Sequence, residues 1–329
     1  MSDMTYRPLG ASGLMVSTVG LGTNAFGARI DAQQTKAVVD AAIEVGVTLF
    51  DTADTYGRGA SEELLGKALG RRRDDVVVAT KFGMDMQGDN GPDWGARASR
   101  RYVRRAVEAS LRRLGTDHID LYQLHQPDLV TPVQETLEAL TELVAEGKVR
   151  YLGCSNFSAW EVVDAHWTAA SSGLRPFVSA QNEYSLYNRT AEDELIPALS
   201  HVGMSLIAYF PLAYGLLTGK YHRGGEAPPG SRLGAESQAH RLANADWDRI
   251  EALNAFADER GVSLLDVAIG GLAAQPVVGS VIAGATRPEQ VSANVRAGLW
   301  APTPEDLEAL GSVNAGRAAG MTHASFTRR

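Results

Sequence analysis

Short runs of apolar and β-branched residues recur along the chain at regular intervals: "VSTVGLGT" (16–23), "VTLFDTA" (47–53), "VVVATKFG" (76–83), "IDLYQLH" (119–125), "VRYLGCS" (149–155), "FVSAQNEY" (177–184), "SLIAYFPL" (205–212) and "VVGSVIAG" (277–284). Runs of this length and composition read as strands, and their near-continuous apolarity is that of strands buried on both faces. The segments between them carry helical spacing and start signals. "TPVQETLEALTELVAEGK" predicts a helix capped by Thr131, with Pro132 in its first position, Gln134 three residues after the cap and Gly147 near its end. "SAWEVVDAHW" opens on a capping box from Ser158 to Glu161, and "TAEDELIPALSHVG" predicts a helix from Thr190 to Gly203.

Strand and helix therefore alternate, and several of the repeats are roughly 30 residues long, the length of a β-α unit. Eight such units close into a (β/α)8 TIM barrel more naturally than they form an open sheet, so the expectation is one α/β domain spanning 1–329. Two intervals are longer than the rest. Segments 83–99 and 213–245, rich in Gly, Pro and polar residues, read as inserted loops on the catalytic face, where they wall a substrate pocket.

Composition narrows the function. The chain is 44% hydrophobic with a formal charge of -8, which argues against a nucleic-acid groove. The basic clusters Arg71–Arg73 and Arg100–Arg105 read as solvated helix ends or faces. Cys154 is the only cysteine, which excludes an intrachain disulfide and a multi-cysteine metal site, and no other metal ligand set is read. No signal peptide or membrane span is legible, so a soluble cytoplasmic protein without a membrane partner is expected.

A barrel of this kind holds its chemistry at the carboxyl ends of its strands. Those ends carry Asp51, Lys81, His125, Ser155 with Asn156, Gln181 and Tyr209. Singly, a strand-end aspartate reads as a helix cap, a lysine as solvated and a histidine as structural. Jointly, Asp51, Tyr56, Lys81 and His125 arise from three successive strand ends or their loops and converge on one mouth.

The stretches "FDTADTYG", "ATKFG", "LYQLHQPD", "GCSNF" and "LLTGKY", in this order and spacing, resemble the aldo-keto reductase superfamily over almost the whole chain. The resemblance implies a barrel closed at its base by an N-terminal hairpin, which "YRPLGASGLMVSTVG" is able to form. It also implies a nicotinamide cofactor lying extended across the strand ends without a Rossmann domain, and no G-x-G-x-x-G follows the first strand.

Carried over residue by residue, Tyr56 is the general acid that protonates a carbonyl oxygen, Lys81 favours its phenolate, Asp51 keeps Lys81 charged, and His125 hydrogen-bonds the carbonyl. Asp54 has no catalytic counterpart and reads as a loop-bracing carboxylate. The implied cofactor contacts are Gly22, Thr23 and Asp51; Ser155, Asn156 and Gln181 at the carboxamide; Tyr209 stacked on the ring; Leu212, Gly215, Leu217 and Lys220 at the pyrophosphate. Gly284, Thr286, Arg287, Gln290 and Asn294 fall at the adenosine and its 2′-phosphate.

Gly284 and Gln290 depart from one family pattern, which has Lys and Arg there, so NADP(H) is preferred with NAD(H) as second choice and Arg287 as the replacement cation. Phe210 stands where many relatives have Ser. The expected substrate pocket is Asn24, Phe26, Tyr56, Met84, Trp94 and His125, with the tail 316–329. The polar Asn24 points to a sugar or other hydroxylated carbonyl. Trp160, His166, Trp167 and Trp300 fall on helical patterns and read as packing residues. Two other classes stay open: a cofactor-binding regulatory subunit with little turnover, and a Schiff-base lyase using Lys81.

Overall fold

The computed structural model describes residues 4–313, so the tail residues assigned to the pocket lie outside the described residues. Strands β1 (Tyr6–Pro8) and β2 (Met15–Ser17) pair antiparallel as a hairpin. The next eight close into a parallel barrel: β3 (Val19–Gly22), β4 (Leu49–Asp51), β5 (Val77–Phe82), β6 (Ile119–Leu124), β7 (Val149–Ser155), β8 (Phe177–Glu183), β9 (Ser205–Tyr209) and β10 (Val278–Gly284), with β10 pairing both β9 and β3. Each of the eight apolar runs contains one barrel strand, and the first also ends the hairpin. The architecture is the (β/α)8 barrel with an N-terminal hairpin.

Strand periodicity decides which residues reach the site. Successive side chains point to opposite faces of a strand, and here the two faces pack into two apolar clusters. Phe50, Val78, Phe82, Tyr122, Leu124, Leu152, Cys154, Ala180, Leu206 and Ala208 face outward into the shell between barrel and helices. Leu49, Ala79, Leu121, Ile207 and Ile282 face inward and meet Leu9, Leu14 and Val16 of the hairpin, which plugs the barrel floor. Each such Leu, Ile, Val or Phe side chain, once buried, contributes roughly 1.5–3 kcal/mol. Asp51, Lys81, Gln123 and Tyr209 share the inward parity and stand one layer above these apolar residues.

The plug requires a glycine. Gly10 has φ +54°, and a Cβ there would lie 2.3 Å from the Val178 carbonyl oxygen, so the turn presses directly on the barrel wall.

The surrounding helices are α1 (Ala32–Glu44), α2 (Ala60–Leu69), α3 (Arg100–Leu114), α4 (Val133–Ala145), α5 (Ala159–Ser172), α6 (Leu195–Val202), α7 (Ala239–Ala243), α8 (Trp247–Glu259), α9 (Leu264–Ala273), α10 (Pro288–Ala297) and α11 (Pro304–Val313). Three boundaries differ from the sequence reading. Helix α4 starts at Val133 with Pro132 as its cap, because the Thr131 hydroxyl donates to Asp128 Oδ2 at 2.8 Å instead. The segment 190–203 breaks into a 3₁₀ turn, Thr190–Glu192, and α6. Starting at Leu195 puts Pro197 in the first turn, where its missing N–H leaves no helical bond unmade. Segment 213–245 holds 3₁₀ turns and α7 rather than irregular loop alone. Trp300 follows α10 and packs edge-on against Phe256. Trp160 and Trp167 are exposed on α5. No helix among the described residues is long and apolar enough to cross a membrane.

Candidate active site

A cleft of about 470 Å³ crosses the carboxyl ends of the strands. At one side the inward parity of β4 and β5 sets Asp51 and Lys81 against each other below the cleft. Lys81, fully buried, donates from Nζ to Asp51 Oδ1 and Oδ2 at 2.8 and 2.7 Å and to the Thr52 carbonyl at 2.8 Å. Its last contact is the Tyr56 hydroxyl, 3.3 Å away, which opens into the cleft. Burial pulls the Lys81 ammonium down, but Asp51 and Tyr56 outweigh it, and the lysine holds its proton above the ordinary value.

Asp51 is itself held from two further strands. Gln181 Nε2 of β8 donates to Asp51 Oδ1 at 2.7 Å and Gln123 Nε2 of β6 at 3.3 Å. Gln123 is absent from the residues singled out above. Its signal was present, because in "LYQLH" it lies two positions before His125 and so shares its face.

Tyr56 and His125 meet edge to face with ring centroids 6.0 Å apart. Burial, and behind it Lys81, pushes the imidazole down to about 3, so His125 is neutral at physiological pH, and its Nδ1 is buried without a hydrogen-bond partner among the described residues. For Tyr56 the sequence alone implies a phenolate favoured by Lys81. In the structure burial raises the phenol and exceeds the lowering by Lys81, so it keeps its proton more firmly than a free tyrosine.

The wall beside these groups comes from β7 and β9. Asn156, at φ +59°, donates from Nδ2 to the His125 carbonyl at 2.9 Å and accepts from the Tyr209 hydroxyl at 2.7 Å. Ser155 Oγ donates to the Gln181 carbonyl at 2.8 Å. These contacts fix Tyr209, whose ring lines the cleft. Farther across, Gly22 at the end of β3 with Thr23 and Asn24, Leu212, Gly215 and Lys220 after β9, and Gly284 at the end of β10 with Thr286 and Gln290 line the same cleft, as does Met84.

Five expected residues do not. Phe26 is fully buried in the outer shell, because its loop doubles back through the Phe26 N–H to Thr23 carbonyl bond. Trp94 is 72% exposed and stacks on the Arg101 guanidinium at 4.3 Å, since segment 83–99 folds back on α3. Leu217 turns into the apolar shell. Arg287 caps α10 outside the cleft lining, and Asn294 is buried farther along that helix. The Thr286 N–H and hydroxyl both donate to Gln290 Oε1, so the helix caps itself there.

In their place the cleft gains two arginines that carry no local signal in the sequence. Arg29 follows β3, and Arg232 lies in the 213–245 insert, its guanidinium 5.2 Å from the Tyr214 ring. Neither forms an ion pair among the described residues, and burial lowers both. With Lys220, three cations line the cleft, whose only carboxylate among the described residues is Asp51. Such cations suit phosphate, while Tyr209 with Ser155, Asn156 and Gln181 suits a flat ring with amide contacts, so the donor set fits a dinucleotide. No group of three or more His, Cys, Asp or Glu side chains among the described residues is arranged to hold a metal ion.

The chain belongs to the aldo/keto reductase family, whose sequence pattern matches residues 18–315. It is thereby placed among TIM-barrel oxidoreductases that work with nicotinamide cofactors. It is 38% identical over 321 residues to a probable voltage-gated potassium channel subunit beta of Oryza sativa subsp. japonica, covering 94% of this chain and 96% of the relative. It is 37% identical over 302 residues to YrpG, an uncharacterized oxidoreductase of Bacillus subtilis (strain 168), covering 89% and 91%. It is 35% identical over 309 residues to the L-glyceraldehyde 3-phosphate reductase of Escherichia coli (strain K12), covering 90% and 88%.

Proposed function

We propose that this protein is an NADP(H)-dependent reductase of aldehydes or ketones, with Tyr56 as the proton donor. The observation that carries the reading is the Tyr56 hydroxyl at the cleft, 3.3 Å from the fully buried, charged Lys81. A bound nicotinamide cofactor supplies the hydride. Tyr56 gives its proton to the carbonyl oxygen as negative charge develops there, and Lys81 stabilises the phenolate left behind. Asp51 keeps that lysine protonated inside the barrel. His125, being neutral, offers an N–H to the same oxygen without competing for the proton.

Ser155, Asn156, Gln181 and Tyr209 hold the nicotinamide end, and Arg29, Lys220 and Arg232 hold the phosphates. Three cations without ion-pair partners among the described residues favour the more highly phosphorylated cofactor. The polar Asn24 in the lining, and the resemblance to a protein named for reducing L-glyceraldehyde 3-phosphate, support a hydroxylated carbonyl as substrate.

The test is oxidation of NADPH and of NADH against aldehydes, ketones, dicarbonyls and short sugars, comparing wild type with Tyr56→Phe. Losing the acid lowers kcat by about 10²–10⁴-fold, with cofactor affinity retained. Wild-type protein that binds NADPH tightly and turns over nothing overturns the reductase reading. It would favour a cofactor-binding regulatory subunit, in line with the relatives named as probable channel subunits.

A further inference from the structure

Tyr56 sits in a loop that one neighbouring segment grips on both sides. Before it, Asp54 is fully buried, and its Oδ2 accepts from Asn90 Nδ2 at 3.0 Å. After it, Arg58 donates from Nε and Nη2 to the Asp89 carboxylate at 2.9 and 2.8 Å, and from Nη1 to Gln87 Oε1 at 3.0 Å. Residues 57–59 are all in the left-handed region, with Arg58 at φ +54°, a conformation a non-glycine residue keeps only when its surroundings impose it.

The grip reaches the barrel wall. Asn90 accepts from Arg113 of α3 at 3.2 Å, Arg113 donates to Glu62 of α2 at 2.6 Å, and Glu62 accepts from Thr80 of β5 at 2.5 Å, next to Lys81. The Asp54 N–H itself donates to the Lys81 carbonyl.

We propose that Asp54 and Asn90 form a buried latch that sets the Tyr56 hydroxyl over Lys81, making Asp54 a positioning residue. The kinetic part rests on Tyr56 being the proton donor; the geometric part does not. Among the described residues Asp54 Oδ1 is buried with no hydrogen-bond partner, a place that suits a protonated carboxyl rather than a charge. Burial, then the nearby Glu62, pushes Asp54 up to about 8, against the pull of Arg113. The titratable groups facing it are Tyr56 on its own loop, Glu62 on α2, Tyr102 and Arg113 on α3, and Tyr122 on β6. Ionised above its pKa, Asp54 adds a negative charge that makes Tyr56 hold its proton more tightly and slows reduction.

The test compares Asp54→Leu, Asp54→Asn and the exposed-site variant Arg58→Ala with wild type, using NADPH and 4-nitrobenzaldehyde between pH 6 and 9.5. Asp54→Leu is expected to lose about tenfold or more in kcat at unchanged cofactor affinity, and Asp54→Asn to recover it. Wild-type kcat should fall through pH 8 and that break should vanish in Asp54→Asn. Arg58→Ala, which leaves the buried network intact, should lower kcat by a few-fold without changing the pH of the break.

A measurement free of turnover places 4-trifluoromethylphenylalanine at position 56 and follows its ¹⁹F resonance. The resonance should shift with a midpoint near pH 8 when residue 54 is Asp and stay flat in Asp54→Asn. A flat resonance with Asp present, or a kcat break near pH 8 that survives Asp54→Asn, overturns the latch. A Tyr56→Phe enzyme that still turns over overturns only the role of Tyr56.

Discussion

Replacing Asp51 by Asn keeps the shape of the side chain and removes the charge opposite Lys81. The amide oxygen of the replacement still accepts from Gln181 and from Lys81, so the main change is an ammonium left in the barrel interior with only neutral acceptors: that amide, the Thr52 carbonyl and the Tyr56 hydroxyl. Removing one partner of a buried ion pair costs about 3–5 kcal/mol. An unfolding entropy of about 2.1 cal/mol/K per residue gives roughly 0.7 kcal/mol/K for a chain of 329 residues, hence a fall in Tm of about 4–7 °C.

The pH dependence follows from the direction of the lysine shift. In the wild type the folded pKa of Lys81 is raised, so its stabilising contribution is complete below about 10.4 and is lost as pH climbs through the folded value. In Asp51→Asn burial acts unopposed and the folded pKa drops, so the penalty grows as pH falls below about 10.4. Urea unfolding of both proteins at pH 7 and pH 10 measures the gap, which should be several kcal/mol at pH 7 and smaller at pH 10. A gap under about 1 kcal/mol at pH 7, or one that does not shrink with pH, refutes the claim that Asp51 holds a charged lysine in the barrel.

Two further outcomes are open to direct measurement. With its imidazole pushed to about 3, His125 should show ring proton chemical shifts that stay flat from pH 5 to 8 in NMR spectra; a titration in that window would mean that His125 is not buried and neutral as described. Gly10→Ala drives a Cβ to 2.3 Å from a backbone oxygen at a left-handed φ. It should destabilise the protein by about 1–3 kcal/mol or more in denaturant unfolding, and an unchanged midpoint would count against the hairpin as a tight plug.

Much of the fold was legible because a barrel strand carries its own signal. The eight apolar runs each contain a barrel strand, and Ser158, Gly203 and Pro288 mark helix ends for reasons local to the backbone. Helix starts failed where a distant or neighbouring contact overrode the local cap, as Asp128 does for Thr131.

At the site, the expected residues that line the cleft are mostly those on strands or directly after them. Asp51, His125, Ser155, Gln181 and Tyr209 are aimed by the two-residue period that aims the core. Side chains on the connecting loops carry no such signal. Phe26 and Trp94 point away from the cleft, whereas Arg29 and Arg232 point into it, because a loop side chain is directed by what the loop packs on rather than by any period.

The alternation of strand and helix, and the parity that stacks Asp51 and Lys81 above the barrel's apolar floor, are legible along the chain alone, since both follow from bonding and sterics within a few residues. That burial outweighs Lys81 in setting the Tyr56 phenol, that Gln290 caps its own helix and that Asp54 meets Asn90 emerge only in the closed fold. Desolvation and long-range partners depend on how the whole chain closes around a group, and no local pattern records them.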